Sequence, residues 1–376
     1  MSILTKIKQN LINISGWHTK RKIIIFESDD WGMIRMASKE SYNGLLKKGY
    51  PLDSCPYSTN DSLERETDVE ALLNVLSSHK NYQGKNPVFT INNVVANPKF
   101  IKIRDSNFSE YYRESFVETY AKYPGSENIL SLWKEGISTN LVQPQYHATE
   151  HLNVNRWMKA LESNTNKIVN DAFNENMFSL HAYKPASCRD EFLDAFGLGH
   201  EEEYETISSI VNDGLDLFEN VWGFRSNSFI APCYIWPESL ESILHDMGVK
   251  YIQGTHVQRN AINGIKKKFT KKYHFTGNRN KWSQLYLVRN VFFEPTDNLD
   301  KDWVNSSLSE IEIAFRFKKP VIISSHRVNY MGRLNPSNRD RGLKLLDELL
   351  KKILMKWPDV EFMSTDQLGN LIAKKE

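Results

Sequence analysis

The sequence predicts an α/β fold, an irregular (β/α) barrel of about seven strands. Three observations lead there. Strand-like runs alternate with helical ones along the whole chain, which is the signature of parallel βαβ units. About seven or eight such units can be counted, enough to close a barrel. Polar residues gather where strands end, the place where such a barrel carries its active groups. A doubly wound open sheet is the competing topology. At 376 residues the chain is long for one domain but within the range of α/β barrels. The expected organisation is an N-terminal amphipathic helix over residues 1–19 and a single barrel domain over 20–376.

The elements follow in order. "MSILTKIKQNLINISGW" places Ile3, Ile7, Leu11 and Ile14 on one helical face. That face either packs on the barrel or rests on a membrane surface as a peripheral contact. "KIIIF" is the first strand. "KESYNGLLKKG" and "DVEALLNVLSSH" are helical, within an insert over about residues 33–85. "NPVFTINNVVANP" is a strand bracketed by Pro87 and Pro98, and "NLVQPQYH" is the next. The helix "HLNVNRWMKALES" carries Leu152, Trp157, Met158 and Leu161 at helical spacing. "NMFSLHAY" reads as a strand and "EEEYETISSIVNDGLDLFE" as a helix. "SNSFIAPCY", "VKYIQGT", "LYLVRNVFFEP" and "PVIISSH" supply four further strands. "SLESILHDMG" joins the first two of these, with Gly248 as its stop. "RDRGLKLLDELLKKILMKWP" is an amphipathic helix ended by Pro358, and "VEFMSTDQLGNLI" closes the chain as a strand and a capped helix.

Composition excludes several classes. Hydrophobic residues make up 40% and charged residues 25%, so the chain is globular. A net charge of +2, from 48 basic and 46 acidic residues, gives no footprint for nucleic acid. Three scattered cysteines, Cys55, Cys188 and Cys233, form neither a disulfide framework nor a CxxC site. With no signal-peptide core and no apolar run long enough to span a bilayer, a cytoplasmic location is expected. The 9 tryptophans and 16 tyrosines suit a sugar-binding cleft, though large cores use aromatics too.

The chemistry starts at "ESDDWG". Asp29 and Asp30 stand side by side where a buried strand ends. Two carboxylates in a desolvated place repel each other unless a cation offsets them. "HATEH" puts His147 and His151 four apart, so that on a helical turn both imidazoles reach one ion. The spacing departs from HExxH, because Glu150 precedes the second histidine. Asp30, His147 and His151 together make a two-His, one-carboxylate set for a divalent cation, with positions left for water. Asp29 is then free to act as a base. His326, after the strand in "VIISSHRVNY", is a candidate proton donor to a leaving nitrogen. His181 has the same local setting and is read as a buried or supporting histidine.

In this order the motifs resemble those of the NodB-homology polysaccharide deacetylases, carbohydrate esterase family 4. The resemblance runs over about residues 22 to 372 in scattered motifs. It implies a deformed (β/α) barrel and a divalent metal, most often zinc, with cobalt, manganese or nickel as alternatives. It also implies a substrate that is an N-acetylated sugar or glycan. "ESDDWG" looks like the first motif, with Asp29 as catalytic base, Asp30 as metal ligand, and Trp31 as a departure. "HATEH" looks like the second, with His147 and His151 as ligands. "FIAPCY" looks like the third, but Ile230 stands where the family has an arginine that orients the base. Arg225 and Arg289 are the candidates to replace it. "DKDW", with Asp302 and Trp303, faintly echoes the fourth motif. "IISSH" is similar to the fifth and makes His326 the acid. Trp31, Trp236, Tyr234 and Trp303 are candidates to stack on a sugar ring. A backbone N–H near Cys233 or Tyr234 is expected to hold an oxyanion. Arg289 is counted with Trp31, Cys233 and Tyr234 on the substrate side.

Overall fold

The first strand, β1 (Ile23–Trp31), is buried along its full length. A strand covered on both faces belongs to the middle of a parallel sheet. β1 indeed lies between β2 (Phe89–Val94) and β8 (Val321–His326), parallel to both, with Phe26 opposite Phe89 and Ile323. The remaining strands are β3 (Val142–Ala148), β4 (Ser228–Ile230), β5 (Tyr251–Gly254), β6 (Leu285–Val288), β7 (Val291–Phe292) and a short β9 (Glu361–Phe362) beside the start of β1. Their order is β6-β5-β4-β3-β2-β1-β8-β7, parallel throughout. The structure is a computed structural model and is described over residues 9–178, 192–197, 203–261 and 269–374.

Two residues between β6 and β7 join the sheet's ends. Arg289 N–H donates to Gly254 O of β5 (2.9 Å), and Asn290 N–H donates to Ile322 O of β8 (3.1 Å). The stretch from Leu285 to Phe292 is therefore one kinked stave shared by both edges, and the described residues supply seven staves. The "LYLVRNVFF" run reads as one strand in sequence, and the kink divides it.

Alternation along the staves separates two cores. Ile24 and Phe26 face outward to the helices and share a cluster with Leu72, Leu76, Leu346 and Leu350 from helices Glu66–Ser77 and Pro336–Lys356. Each such aliphatic side chain contributes on the order of 1.5–3 kcal/mol on burial. Ile23 and Ile25 face inward, with Leu285, Leu287 and Ile322, and are plugged from below by Leu368 and Ile372 of helix Thr365–Ala373. Continuing upward on the same inner face, β1 presents Glu27 and then Asp29. The barrel interior thus changes from apolar at the base to ionic at the C-terminal ends of the strands.

Helix ends behave as the sequence requires. Pro336 opens its helix at a position where no intrahelical N–H is needed. Gly248, at φ +89°, follows helix Glu238–Asp246, and its N–H donates to His245 O. Two antiparallel ribbons lie outside the barrel, Ala96–Pro98 with Arg113–Ser115 and Val257–Ala261 with Phe269–Tyr273. Residues 9–12 are helical, Leu11 and Ile14 are exposed, and Lys319 Nζ donates to Ser15 O (2.6 Å). The rest of the expected N-terminal helix, most of the strand expected at "NMFSLHAY", His181 and Cys188 lie outside the described residues. Among the described residues no helix is long and apolar enough to cross a membrane.

Candidate metal centre and its acid–base flanks

Neighbouring residues on a strand point to opposite faces, so Asp29 and Asp30 would ordinarily diverge. Asp30 breaks the alternation. Its φ is +77°, in the left-handed region that non-glycine residues rarely adopt, asparagine and aspartate more readily than most. The pairing of β1 with β2 slips here, between Ser28 and Trp31. Gly32, at φ +84°, completes the turn; a Cβ there would stand 2.5 Å from Val94 O. Gly32 N–H donates to Glu64 Oε1 (2.8 Å), fastening the turn to the insert. The strained backbone brings both carboxylates to the same centre.

Asp30, His147 and His151 form a buried cluster whose donor atoms all lie within 4.8 Å of one another. His147 Nε2 stands 3.3 Å, and His151 Nε2 3.6 Å, from Asp30 Oδ1. His147 Nδ1 lies 2.9 Å from the carbonyl of Ile230, an acceptor only, so Nδ1 carries the proton. In the neutral ring Nε2 is then a bare lone pair facing a carboxylate oxygen. Two acceptors at that distance repel unless a cation, or a second proton, sits between them. The donor set therefore fits a divalent cation: one carboxylate, and imidazole nitrogens with their lone pairs inward. Burial pushes His151 down to about 3 against the pull of Asp30, which keeps it neutral and ready to ligate. Its Nδ1 is buried without a hydrogen-bond partner. Asp30 is held well below the ordinary carboxylate range, because His147, His151 and His326 outweigh its burial.

"HATEH" reaches this geometry by a different route from the helical turn expected. His147 is in the last turn-out of β3, residues 149–153 are irregular, and the next helix starts only at Val154. The two rings meet edge to face, with centroids 5.1 Å apart. Glu150 points away and pairs with Arg113 (2.8 Å).

Asp29 is clamped. Arg289 Nη2 donates to its Oδ1 (2.6 Å) and Nη1 to its Oδ2 (2.7 Å), while Asn92 Nδ2 also donates to Oδ1 (2.7 Å). Arg289 Nε donates to Glu27 Oε2 (2.6 Å). Burial favours the neutral acid, but the guanidinium charge and its hydrogen bonds win and bring Asp29 down to about 2. Arg289 thus fixes the Asp29 carboxylate from the end of β6 and not from the strand that carries Ile230. It is buried and fully occupied by protein partners, so the expectation that it faces substrate is corrected. Arg225 is elsewhere, half-buried and paired with Asp216 (2.8 Å) and Glu219 (3.1 Å).

His326 ends β8 opposite Asp29, with Nε2 3.7 Å from Asp29 Oδ2. Its Nδ1 faces Glu294 Oε1 (2.7 Å), and Asn329 Nδ2 donates to Glu294 Oε2 (2.7 Å). Burial opposes the imidazolium, but Glu294, Asp29 and Asp30 outweigh it, and His326 is pushed well above its usual value. Tyr57, from the insert, sets its ring edge-on to His326 at 5.8 Å.

Several aromatic expectations are corrected. Trp31 is fully buried, donates to Ser28 Oγ (3.0 Å) and packs edge-on against Trp133. Trp236 is buried and donates to Glu241 Oε1 (3.0 Å). Trp303 is buried under Lys301, and Asp302 is the N-cap of helix Trp303–Arg316. None of these can stack on a ring from solvent. Cys233 and Tyr234 are half-buried, both at φ +57°. Tyr234 N–H is spent on Ala231 O (3.0 Å), so it is not an oxyanion donor, and Tyr234 OH accepts from Arg289 Nη1 (3.1 Å).

Sequence reading missed Glu27, Asn92, Glu294 and Tyr57. The available signal was a charged or amide residue inside or at the end of a buried run: "IIIFES", "FTINNV", "VFFEP".

No family model matches this chain. No curated protein matches it either. Among solved structures it is similar to a chain from Mycobacterium smegmatis assigned as a polysaccharide deacetylase, at 11% identity and a TM-score of 0.42, covering 96% of this chain and 93% of that one. A Pseudomonas aeruginosa PAO1 protein with the same assignment has 8% identity and a TM-score of 0.46, covering 93% and 91%. Puue allantoinase has 9% identity and a TM-score of 0.46, covering 94% and 91%. What the site can do follows from its own donor atoms and distances.

Proposed function

We propose that this chain is a metal-dependent hydrolase that removes acetyl groups from N-acetylated sugars. The observation that carries the reading is the facing pair at the barrel mouth: an Asp29 kept ionised by Arg289 and a His326 kept protonated by Glu294, 3.7 Å apart and beside the Asp30–His147–His151 donor set.

Asp30, His147 and His151 would hold the cation, zinc foremost, with cobalt, manganese or nickel as substitutes. Bound there, it supplies Lewis acidity toward water and a carbonyl oxygen. Asp29 takes the proton of the attacking water at Oδ2, the oxygen with fewer donors on it. Arg289 and Asn92 keep that carboxylate ionised and aimed, at some cost in basicity. His326 carries a proton on Nε2 toward the departing nitrogen, while Glu294 holds Nδ1–H and the ring plane. One water and one acetamide become acetate and a free amine. The presence of a base-orienting arginine argues against a non-catalytic glycan-binding role, despite Ile230. A precursor in surface-polysaccharide assembly is the substrate this reading favours, tested with monomeric against polymeric acetylated sugars.

The deciding experiment is acetate release from N-acetylated sugars with added zinc, comparing the native chain with Asp29→Asn. The variant keeps its metal and loses about 100- to 10,000-fold in turnover. Equal turnover by the two proteins removes Asp29 from this role, and release from O-acetyl sugars alone replaces the amide with an ester.

A further inference from the structure

Arg35 follows the first-strand turn and is 7% exposed. Its side chain makes no hydrogen bond and no ion pair among the described residues; its one defined contact is the Tyr57 ring, 5.6 Å from the guanidinium carbon. Among the described residues, every other deeply buried arginine is matched by carboxylates. Arg289 has Glu27 and Asp29, and Arg327 has Asp61 and Glu64. An arginine cannot shed its proton, so a buried fork without an acceptor is costly. Asp61, which feels the charge of Arg35, accepts from Arg327 Nε at Oδ1 (3.0 Å), and its Oδ2 is buried without a partner, yet it does not come within ion-pair distance of Arg35.

The position of this charge is defined by what it touches and acts on. It lies against one side of Tyr57, whose ring also meets His326. Its field acts on His151 and on Asp61. Arg35 therefore borders the same mouth as the donor set and the acid–base pair. Its nitrogens are not among the sealed, unpartnered atoms, so they keep a small contact with solvent.

We propose that Arg35 is a specificity-determining residue that binds an oxyanion, a phosphate or carboxylate carried by the substrate beside the acetamido group. A guanidinium fork matches either group through two parallel hydrogen bonds, and Tyr57 keeps the plane of the fork in place. The assignment of the anion to the substrate rests on the deacetylase reading; the anion site itself does not.

Titration calorimetry on chelator-treated protein, with inorganic phosphate, glucuronate and acetate as probes, tests the site apart from any metal. Phosphate or glucuronate binds the native chain, and Arg35→Met weakens it about tenfold or more, the equivalent of one strong charged contact. Arg35→Lys, which keeps the charge and loses the fork, falls between them and serves if the methionine variant does not fold. Binding of phosphate alone points to an activated or phosphorylated sugar, and binding of glucuronate alone to a sugar acid; both support the site. No binding by the native chain, equal binding by the methionine variant, or acetate binding as tightly as the other two overturns it. Failure of acetate release with intact anion binding would count against the deacetylase reading only.

Discussion

Replacing Arg289 with methionine separates the two things this arginine does. It removes the partner of two carboxylates, Glu27 and Asp29, whose side chains are at most 4% exposed. Breaking a buried pair from one side costs about 3–5 kcal/mol, because an uncompensated charge is left inside. Part of that cost is relieved by protonation. Burial alone raises a carboxyl, and Arg289 is the largest influence that lowers Asp29 to about 2. Without it Asp29 rises above its ordinary 3.8, a change of about two pH units, on the order of 2–3 kcal/mol. A depressed acid stabilises the fold at pH above its unfolded value, and that stability is lost as pH falls through the folded value. In the native chain the loss runs between about 3.8 and about 2; in Arg289→Met this contribution is gone at every pH. Urea unfolding at pH 7 should show the drop in stability, and the acid limb of kcat/KM should move upward by about two units. Arg289→Lys, with one charge and no fork, should fall between. Unfolding within about 1 kcal/mol of native together with an unmoved acid limb would refute the reasoning.

Glu294→Gln removes the strongest influence holding the proton on His326. Activity that needs the imidazolium disappears as pH rises through its folded pKa, so the alkaline limb of kcat/KM should move to lower pH by about one to two units. An unchanged limb would take Glu294 out of that role. Gly342→Ala tests the packing behind the site: a Cβ there would lie 1.7 Å from Asn329 O, and Asn329 holds Glu294. The helix must retreat, at about 1–3 kcal/mol, with a fall in kcat; melting and kinetics both at native values would contradict this.

Much of this was legible in the sequence for physical reasons. Burial on both faces makes "IIIF" continuous, and a strand end is where a barrel accepts charge, so Asp29, Asp30 and His326 stood out. "HATEH" was readable as a candidate ligand pair, but the strand end and bend that bring its two rings together were not. Spacing alone does not say whether four residues span a helical turn or a strand end with a bend. The positive φ of Asp30 has no signature of its own except the glycine two residues on. Arg289 could be named only as a candidate, because it meets Asp29 through a stave kinked between two sheet edges, 260 residues away. Trp31 and Trp303 looked like sugar platforms because they lie near strand ends, but Trp31 turns inward against Trp133, and Trp303 opens a helix and is buried beneath Lys301.

The central claim is that Asp30 and, 117 residues further on, the pair His147 and His151 hold one cation. Elemental analysis of the chain after zinc loading and desalting tests it, alongside His147→Ala. The native chain should carry about one zinc and the variant none, since each ligand of a three-residue site is needed. A native chain that binds no metal, or a variant that keeps it in full, would contradict the account.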